Sequence, residues 1–383
     1  MNLKHLFRLL SSIMPALFLT NCAESGIMPD SPDNGGQDEE VSIFMSIEVR
    51  DIDASRQYSR ASENEADKWP VNDKEKMNTL RVIVANSEGK VEGNQFFSFG
   101  EGRTKYGQME FKVKPRDTKT IYVLSNCEGY TFRGSDNQEL SDNYFATLRK
   151  GSSLNVESAK SLTLGLEENE TPLAVALPIT TIDVVRVESS DIEHDILVHR
   201  AATKYTYRIQ NLTPQSILLG GIHISSHTDK EFLFPNATYT TNSRGETILE
   251  SYTTPPDAVG SNLDVNYDSA IELPANMEQP KEIGPIYQLE GLKLTPSSYK
   301  TTLTLNGIKQ EWKDLNWHIP EETTPKKLMT DLPRNTHVVV NVKISHDYSL
   351  IVTVNEQPYS YVELDPEFGL DRDENGNIII KKN

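Results

Sequence analysis

The chain has 383 residues, 56 of them acidic and 38 basic, for a formal net charge of −18. This balance excludes a nucleic-acid partner, whose phosphates require a basic face, and suits an exposed surface molecule. The length provides for two domains, three at most.

Lys4, His5 and Arg8 precede a short, mostly apolar run that ends in Leu19-Thr20-Asn21-Cys22. This order predicts a signal peptide over residues 1–21, too short to be a stable membrane span. The cysteine at the cleavage point resembles a lipobox and makes Cys22 the expected lipidation site, although Asn21 stands where Gly, Ala or Ser is usual. An ordinary signal peptide with a chance cysteine is the alternative. Cys127 then has no disulfide partner; it follows Ile121-Tyr122-Val123-Leu124 and reads as a small buried residue rather than a nucleophile. An exported chain without disulfides depends on packing, which suits domains well over a hundred residues.

Residues 22–40 hold Pro, Gly and acids and predict an acidic tether. In VSIFMSIEV, Val41, Ile43, Met45, Ile47 and Val49 alternate with Ser42, Phe44, Ser46 and Glu48, a half-buried strand of period two. Residues 50–76 are polar and carry Arg50, Arg56 and Arg60; Ser62 with Glu65 forms a candidate capping box. Strands are expected at Leu80–Ala85, Met109–Val113 and Ile121–Ser125, and a short helix over residues 139–149. Further strands are expected near Leu173–Ile179 and Val184–Val187, then at Ala202–Ile209, Ser216–Ser225, Ile283–Tyr287, Tyr299–Leu305, His337–Ile344 and Leu350–Val354. The polar, Pro-rich stretch between residues 251 and 281 reads as a long loop. Short strands at this spacing indicate all-β antiparallel sandwiches with a few short helices. The expected division is a first domain over 41–185, a second over 186–354 and a C-terminal tail over 355–383.

Catalytic motifs are absent: no Gly-rich phosphate loop, HExxH, G-x-S-x-G or paired CxxC. No motif for a cofactor or a metal is found either. His223 and His227 are four apart in a strand-like stretch and read as surface residues rather than zinc ligands. Asp371 to Gly376 begins like a calcium loop, but Lys382 occupies the position of the bidentate glutamate, so a hairpin turn at Asn375-Gly376 is the better reading. Trp312 and Trp317 suit either an aromatic sugar platform or a loop pinned to the core.

Five segments together resemble the fimbrillin family of Bacteroidales, the lipoprotein subunits of type V pili. They are the lipid cysteine and first strand followed by Arg60-Ala61 and TLRVIVANSEGKV; TIYVLSNCEGY; LVHRAATKYTYRIQN (residues 197–211); IGPIYQLEG; and LPRNTHVVVNVKI (residues 332–344) with the last strand SLIVTV. The resemblance implies two tandem transthyretin-like antiparallel β-sandwich domains and a non-enzymatic, structural role in a surface fimbrium. It implies proteolysis followed by donor-strand exchange. An arginine-specific protease would cut between Arg60 and Ala61 and release residues 22–60 with the first strand, expected at a sandwich edge. The candidate donor strand lies in the tail, with Tyr361, Val362, Leu364, Ile378 and Ile380 as its apolar residues; a hairpin folded back on its own domain is the alternative. The implied partners are neighbouring pilus subunits of the same or related kind, the protease, the outer membrane through the lipid, and a host or bacterial surface ligand. In such bacteria the acidic stretch after Cys22 resembles a surface-export signal, and Asp268-Ser269-Ala270 resembles an O-glycosylation motif; a plain spacer and a plain loop are the alternatives. A glycan-binding surface lipoprotein of a nutrient-uptake system is the rival functional reading.

Overall fold

The alternating segment forms the first strand, β1 (Val41–Val49), which turns Val41, Ile43, Met45, Ile47 and Val49 into a core. The computed structural model describes residues 40–49, 71–128, 130–141, 143–165, 176–241, 247–289, 301–312 and 334–357. After a 3-10 turn at Asp73–Glu75 come β2 (Met77–Ala85), β3 (Val91–Arg103), β4 (Lys105–Val113), β5 (Asp117–Ser125) and β6 (Phe132–Arg133). Helices α1 (Tyr144–Thr147) and α2 (Val156–Lys160) precede β7 (Thr163–Gly165), β8 (Ile179–Val187) and β9 (Ile192–Arg200).

These elements build a sandwich from a four-stranded layer, β3-β2-β5-β8, and a three-stranded layer, β4-β1-β9, joined where the start of β8 pairs with the end of β9. Val82, Val84, Ile121 and Val123 of β2 and β5 face the core between the layers. Their neighbours Ile83, Ala85, Tyr122 and Leu124 face a second apolar cluster with Phe132, Phe145, Leu154 and Leu164. That double burial is why both strands read as continuous apolar runs, while β1 alternates.

A second sandwich follows. Its strands are β10 (Thr203–Asn211), β11 (Ile217–Thr228), β12 (Lys230–Phe232), β13 (Ala237–Thr241), β14 (Thr247–Tyr252), β15 (Gly260–Leu273), β16 (Lys281–Gln288), β17 (Thr301–Leu305), β18 (Ile308–Trp312), β19 (His337–Ile344) and β20 (Leu350–Gln357). The layers are β15-β11-β17-β18 and β16-β10-β19-β20. Tyr205, Tyr207, Ile209, Leu219, Ile222, Leu303, Val338, Val340 and Val342 fill the core between them. Set aside the short β6, β7, β12, β13 and β14 and the final β20, and the connectivity repeats strand for strand. β10 takes the place of β1, with an antiparallel neighbour on one side and a parallel neighbour on the other. Even a bulge recurs. Ser46 of β1 stands opposite Gly107-Gln108, and Thr206 of β10 stands opposite Gly284-Pro285.

The all-β architecture is as expected, with several corrections in detail. The expected domain boundary near residue 185 falls inside β8; β8 and β9 belong to the first sandwich, and the chain changes sandwich at Ala201-Ala202. The two runs near Leu173–Ile179 and Val184–Val187 give one strand starting at Ile179. The loop expected over 251–281 contains the 14-residue β15. Leu263, Val265, Tyr267, Ile271 and Leu273 alternate onto the core, and the pattern lapses only at Ser269, where residues 267–270 bulge out opposite Gly220, between the pairs Gly221↔Asn266 and Leu219↔Ile271. The helix expected over 139–149 shrinks to α1, since Leu148 is extended. The 13-residue β3 was not foreseen.

The sandwiches meet in a polar waist. Glu75 and Lys204, both buried, form an ion pair at 2.7 Å. Tyr287 Oη and Asn72 Nδ2 donate to Glu75 Oε1 at 2.7 and 2.9 Å. Arg200, fully buried, donates to the Glu75 carbonyl (3.0 Å) and to Asn335 Oδ1 (3.2 Å). A strap from the second sandwich, β12, adds to β7 of the first. Arg334 pins that strap through the Leu233 carbonyl at 3.1 Å, which also accepts from Thr180 Oγ1 at 2.6 Å.

Candidate functional site

The motifs that carried the resemblance are structural in this fold. Asn126, at φ +55, accepts the amide of Asn78 at 2.8 Å and donates to the carbonyls of Lys76 and Leu177 at 2.7 and 2.9 Å. Only Gly and a few short polar residues reach that backbone region cheaply. Asn211 closes the far end of β10 through the carbonyls of Gln215, Leu273 and Pro274. Arg334 and Asn335 lie in the waist.

The site that bears on function is the place β1 occupies. β1 is central rather than the edge strand expected. It pairs antiparallel with β4 from Val41↔Val113 to Glu48↔Lys105, and parallel with β9 from Ile43↔Ile192 to Val49↔Val198. Ile43, Met45, Ile47 and Val49 are fully buried. Removing this strand opens two ladders and a core groove together, a cost that only another strand can offset. Because β1 runs parallel to β9, Val49 lies at the waist and Val41 at the far end of the first sandwich.

The other face of β1 carries Ser42, Phe44, Ser46 and Glu48; Phe44 is half-buried, and Ser42 and Ser46 are fully buried. At the far end the Ser42 amide donates to Asp191 Oδ1 at 2.7 Å, and its hydroxyl donates to Glu110 Oε1 at 2.7 Å. Lys112 Nζ donates to the same hydroxyl and pairs with Glu110 at 2.9 Å. Hydrogen bonds from Ser42 and Lys112 hold the Glu110 carboxyl below the usual carboxylate range. Sequence reasoning did not single out Glu110, Lys112 or Asp191. Their signal, an acid and a base two apart on the outward face of a strand, is common on any surface.

Chain order makes β1 unusual. It is the first described element, so one break between Val49 and Asp73 leaves it without a covalent link to the strands that follow. Its counterpart β10 is tied to β9 through Ala201-Ala202 and to β11 through residues 212–216.

Cys22, Arg60 and Ala61 lie outside the described residues, as do Ser62, Glu65, Trp317, the 371–376 turn and the tail residues Tyr361, Val362, Leu364, Ile378 and Ile380. Trp312 ends β18, paired with Thr301. Ser269 is exposed in the bulge of β15. His223 Nδ1 meets Asp264 Oδ1 across β11 and β15 at 2.5 Å. Among the described residues, no three His, Cys, Asp or Glu side chains group to hold a metal. Cys127 is buried, and burial pushes its thiol pKa well up, away from a reactive thiolate.

No family model matches the chain, and no curated protein matches it. Among solved structures, the fold is similar to that of a candidate cell adhesion protein from Parabacteroides distasonis (TM-score 0.51, 12% identity, 85% of this chain and 98% of that one). It is equally similar to the tip fimbrial protein Mfa3 from Porphyromonas gingivalis with a C-terminal truncation (TM-score 0.51, 13% identity, 83% of this chain and 99% of that one). At these identities the likeness is one of fold: an all-β chain of the architecture found in fimbrial and adhesion proteins.

Proposed function

We propose that this protein is a structural subunit of a cell-surface pilus that supports adhesion, made as a lipid-anchored precursor and assembled by strand replacement. The observation that carries the reading is the position of β1. It is central to its layer, apolar on one face, and held to the rest of the fold by a single covalent connection. The two similar structures, one of a cell adhesion protein and one of a fimbrial protein, support the same reading. In this scheme Cys22 carries the lipid and places the precursor on the outer membrane. An arginine-specific protease cuts between Arg60 and Ala61. Residues 22–60 leave, and a strand from a neighbouring subunit enters between β4 and β9. The tail beyond β20, with Tyr361, Val362, Leu364, Ile378 and Ile380, is the strand this subunit offers onward. Main-chain hydrogen bonds supply the affinity and alternate side chains the register.

The test is made on cells that assemble the filament. Wild-type protein should run as an SDS-resistant ladder. Arg60→Ala should keep the subunit at precursor size, outside the ladder. Truncation after Gln357, which spares β20, should stop the ladder at this subunit. Ladders unchanged in both variants would overturn the scheme.

A further inference from the structure

The buried serines on the second face of β1, Ser42 and Ser46, carry information that an apolar groove alone lacks. Five inward apolar residues specify only that a strand enters with period two, and a slip by two residues satisfies that rule equally well. Two features of the slot break the degeneracy. The first is the bulge in β4 at Gly107-Gln108, which Ser46 faces while fully buried; bulges pin register. The second, four residues away, is the clasp around Ser42.

We propose that Glu110, Lys112 and Asp191 select the strand that fills this slot, accepting a hydroxyl residue at the place of Ser42 and rejecting a carboxylate there. This rests on the strand-replacement reading above. The clasp has one opening for a donor: Glu110 Oε1 takes the hydroxyl proton, and Asp191 Oδ1 takes the backbone amide beside it. Lys112 already faces Glu110, Asp191 and Glu40. A further carboxylate meets two acids whose only nearby base on β4 is engaged, and like charges set together are destabilising.

The chain's own tail matches the apolar period of the core but fails the clasp, and in the same register Pro366 takes the place of Met45 without an amide for the ladders of a central strand. In residues 362–370, Val362, Leu364, Pro366, Phe368 and Leu370 alternate with Glu363, Asp365, Glu367 and Gly369. The register that turns all five apolar residues inward sets Glu363 at the place of Ser42. The occupant is therefore a strand from a different subunit, with five alternating apolar residues and Ser or Thr second, rather than a second copy of this chain.

The experiment uses the full-length precursor cut with an arginine-specific protease and then incubated with fluorescent peptides. The peptide spanning Glu40–Arg50 should exchange into the slot. Its Ser42→Glu version should bind about tenfold more weakly or worse, the usual consequence of losing a charge-assisted hydrogen bond and stranding its partner. The tail peptide spanning Tyr361–Asp371 should be weak, and Glu363→Ser should strengthen it by a comparable factor. In protein carrying Glu110→Gln and Asp191→Asn, the gap between the native β1 peptide and its Ser42→Glu version should close. Equal binding of those two peptides to the unmutated protein would overturn the clasp. If no peptide enters, not even that of β1 itself, strand replacement fails and the clasp with it.

Discussion

β1 and β10 occupy the same place in two sandwiches of the same connectivity. Each is central to its layer, each has one parallel and one antiparallel neighbour, and each sets a hydroxyl residue, Ser46 or Thr206, against a two-residue bulge. They differ in what holds them. β10 is locked by chain on both sides and by Lys204, whose ammonium is buried against Glu75. β1 is the first described strand, and the polar contacts of Ser42 lie at its far end, away from the waist. Burial is alike in the two cases, so under the strand-replacement proposal chain order and anchoring are what set β1 apart from β10.

The largest effect should come from the locked sandwich. Val340 is 1% exposed and pairs with Tyr207 of β10 on one side and Val354 of β20 on the other. Val340→Asp places a charge where nothing pairs with it and should abolish soluble expression of the chain, measured as the soluble fraction after lysis. Normal yield would mean that the β19–β20 hairpin is dispensable, against its pairing here.

Next is the waist. Lys204→Met leaves Glu75 buried without its ion-pair partner and should cost about 3–5 kcal/mol in denaturant unfolding. Tyr287 and Asn72 still donate to Glu75, so the lower end of that range is expected. A loss below about 1 kcal/mol would show that the waist is held by the strap and core instead.

The comparison sharpens with a matched pair of truncations. Ile47→Ala in β1 and Ile209→Ala in β10 remove fully buried side chains from the two cores, and each should destabilise the uncut chain by about 2–5 kcal/mol. After proteolysis and exchange with a wild-type β1 peptide, the Ile47→Ala penalty should vanish and the Ile209→Ala penalty should remain. Persistence of both would place β1 among the permanent strands.

The smallest effect concerns Asp117. Burial opposes its ionisation, but donors on Ser87 and Lys119 outweigh that and push its pKa down to about 2. A carboxyl depressed in the folded state adds stability above its unfolded pKa of about 3.9, lost as pH falls towards 2. Asp117→Asn should lower the melting temperature near neutrality and flatten its fall between about pH 4 and pH 2, where variant and wild type converge. An unaltered slope would exclude Asp117 as its source.

Much of this is legible in the residues alone. The strand at Val41–Val49 follows from period-two alternation, and the bounds of β19 from the run at His337–Ile344, because one-face burial writes itself into residue type. Adjacent apolar runs also signal the final hairpin. Other features are illegible for equally physical reasons. β15 hides behind a four-residue bulge, and β3 has few buried side chains to mark it. The boundary at Ala201-Ala202 has no turn or linker signature in its residue types, because only two residues separate the end of one sandwich from the start of the next. The all-β class, the two-sandwich plan and the apolar face of β1 are consequences of local periodicity, and residue order is enough to read them. That β1 is central, that β10 is its counterpart, and that Glu110, Lys112 and Asp191 converge on Ser42 emerge only in the folded chain. Those facts depend on which distant segments become neighbours, and pairing across 68 to 149 residues of chain leaves no local mark.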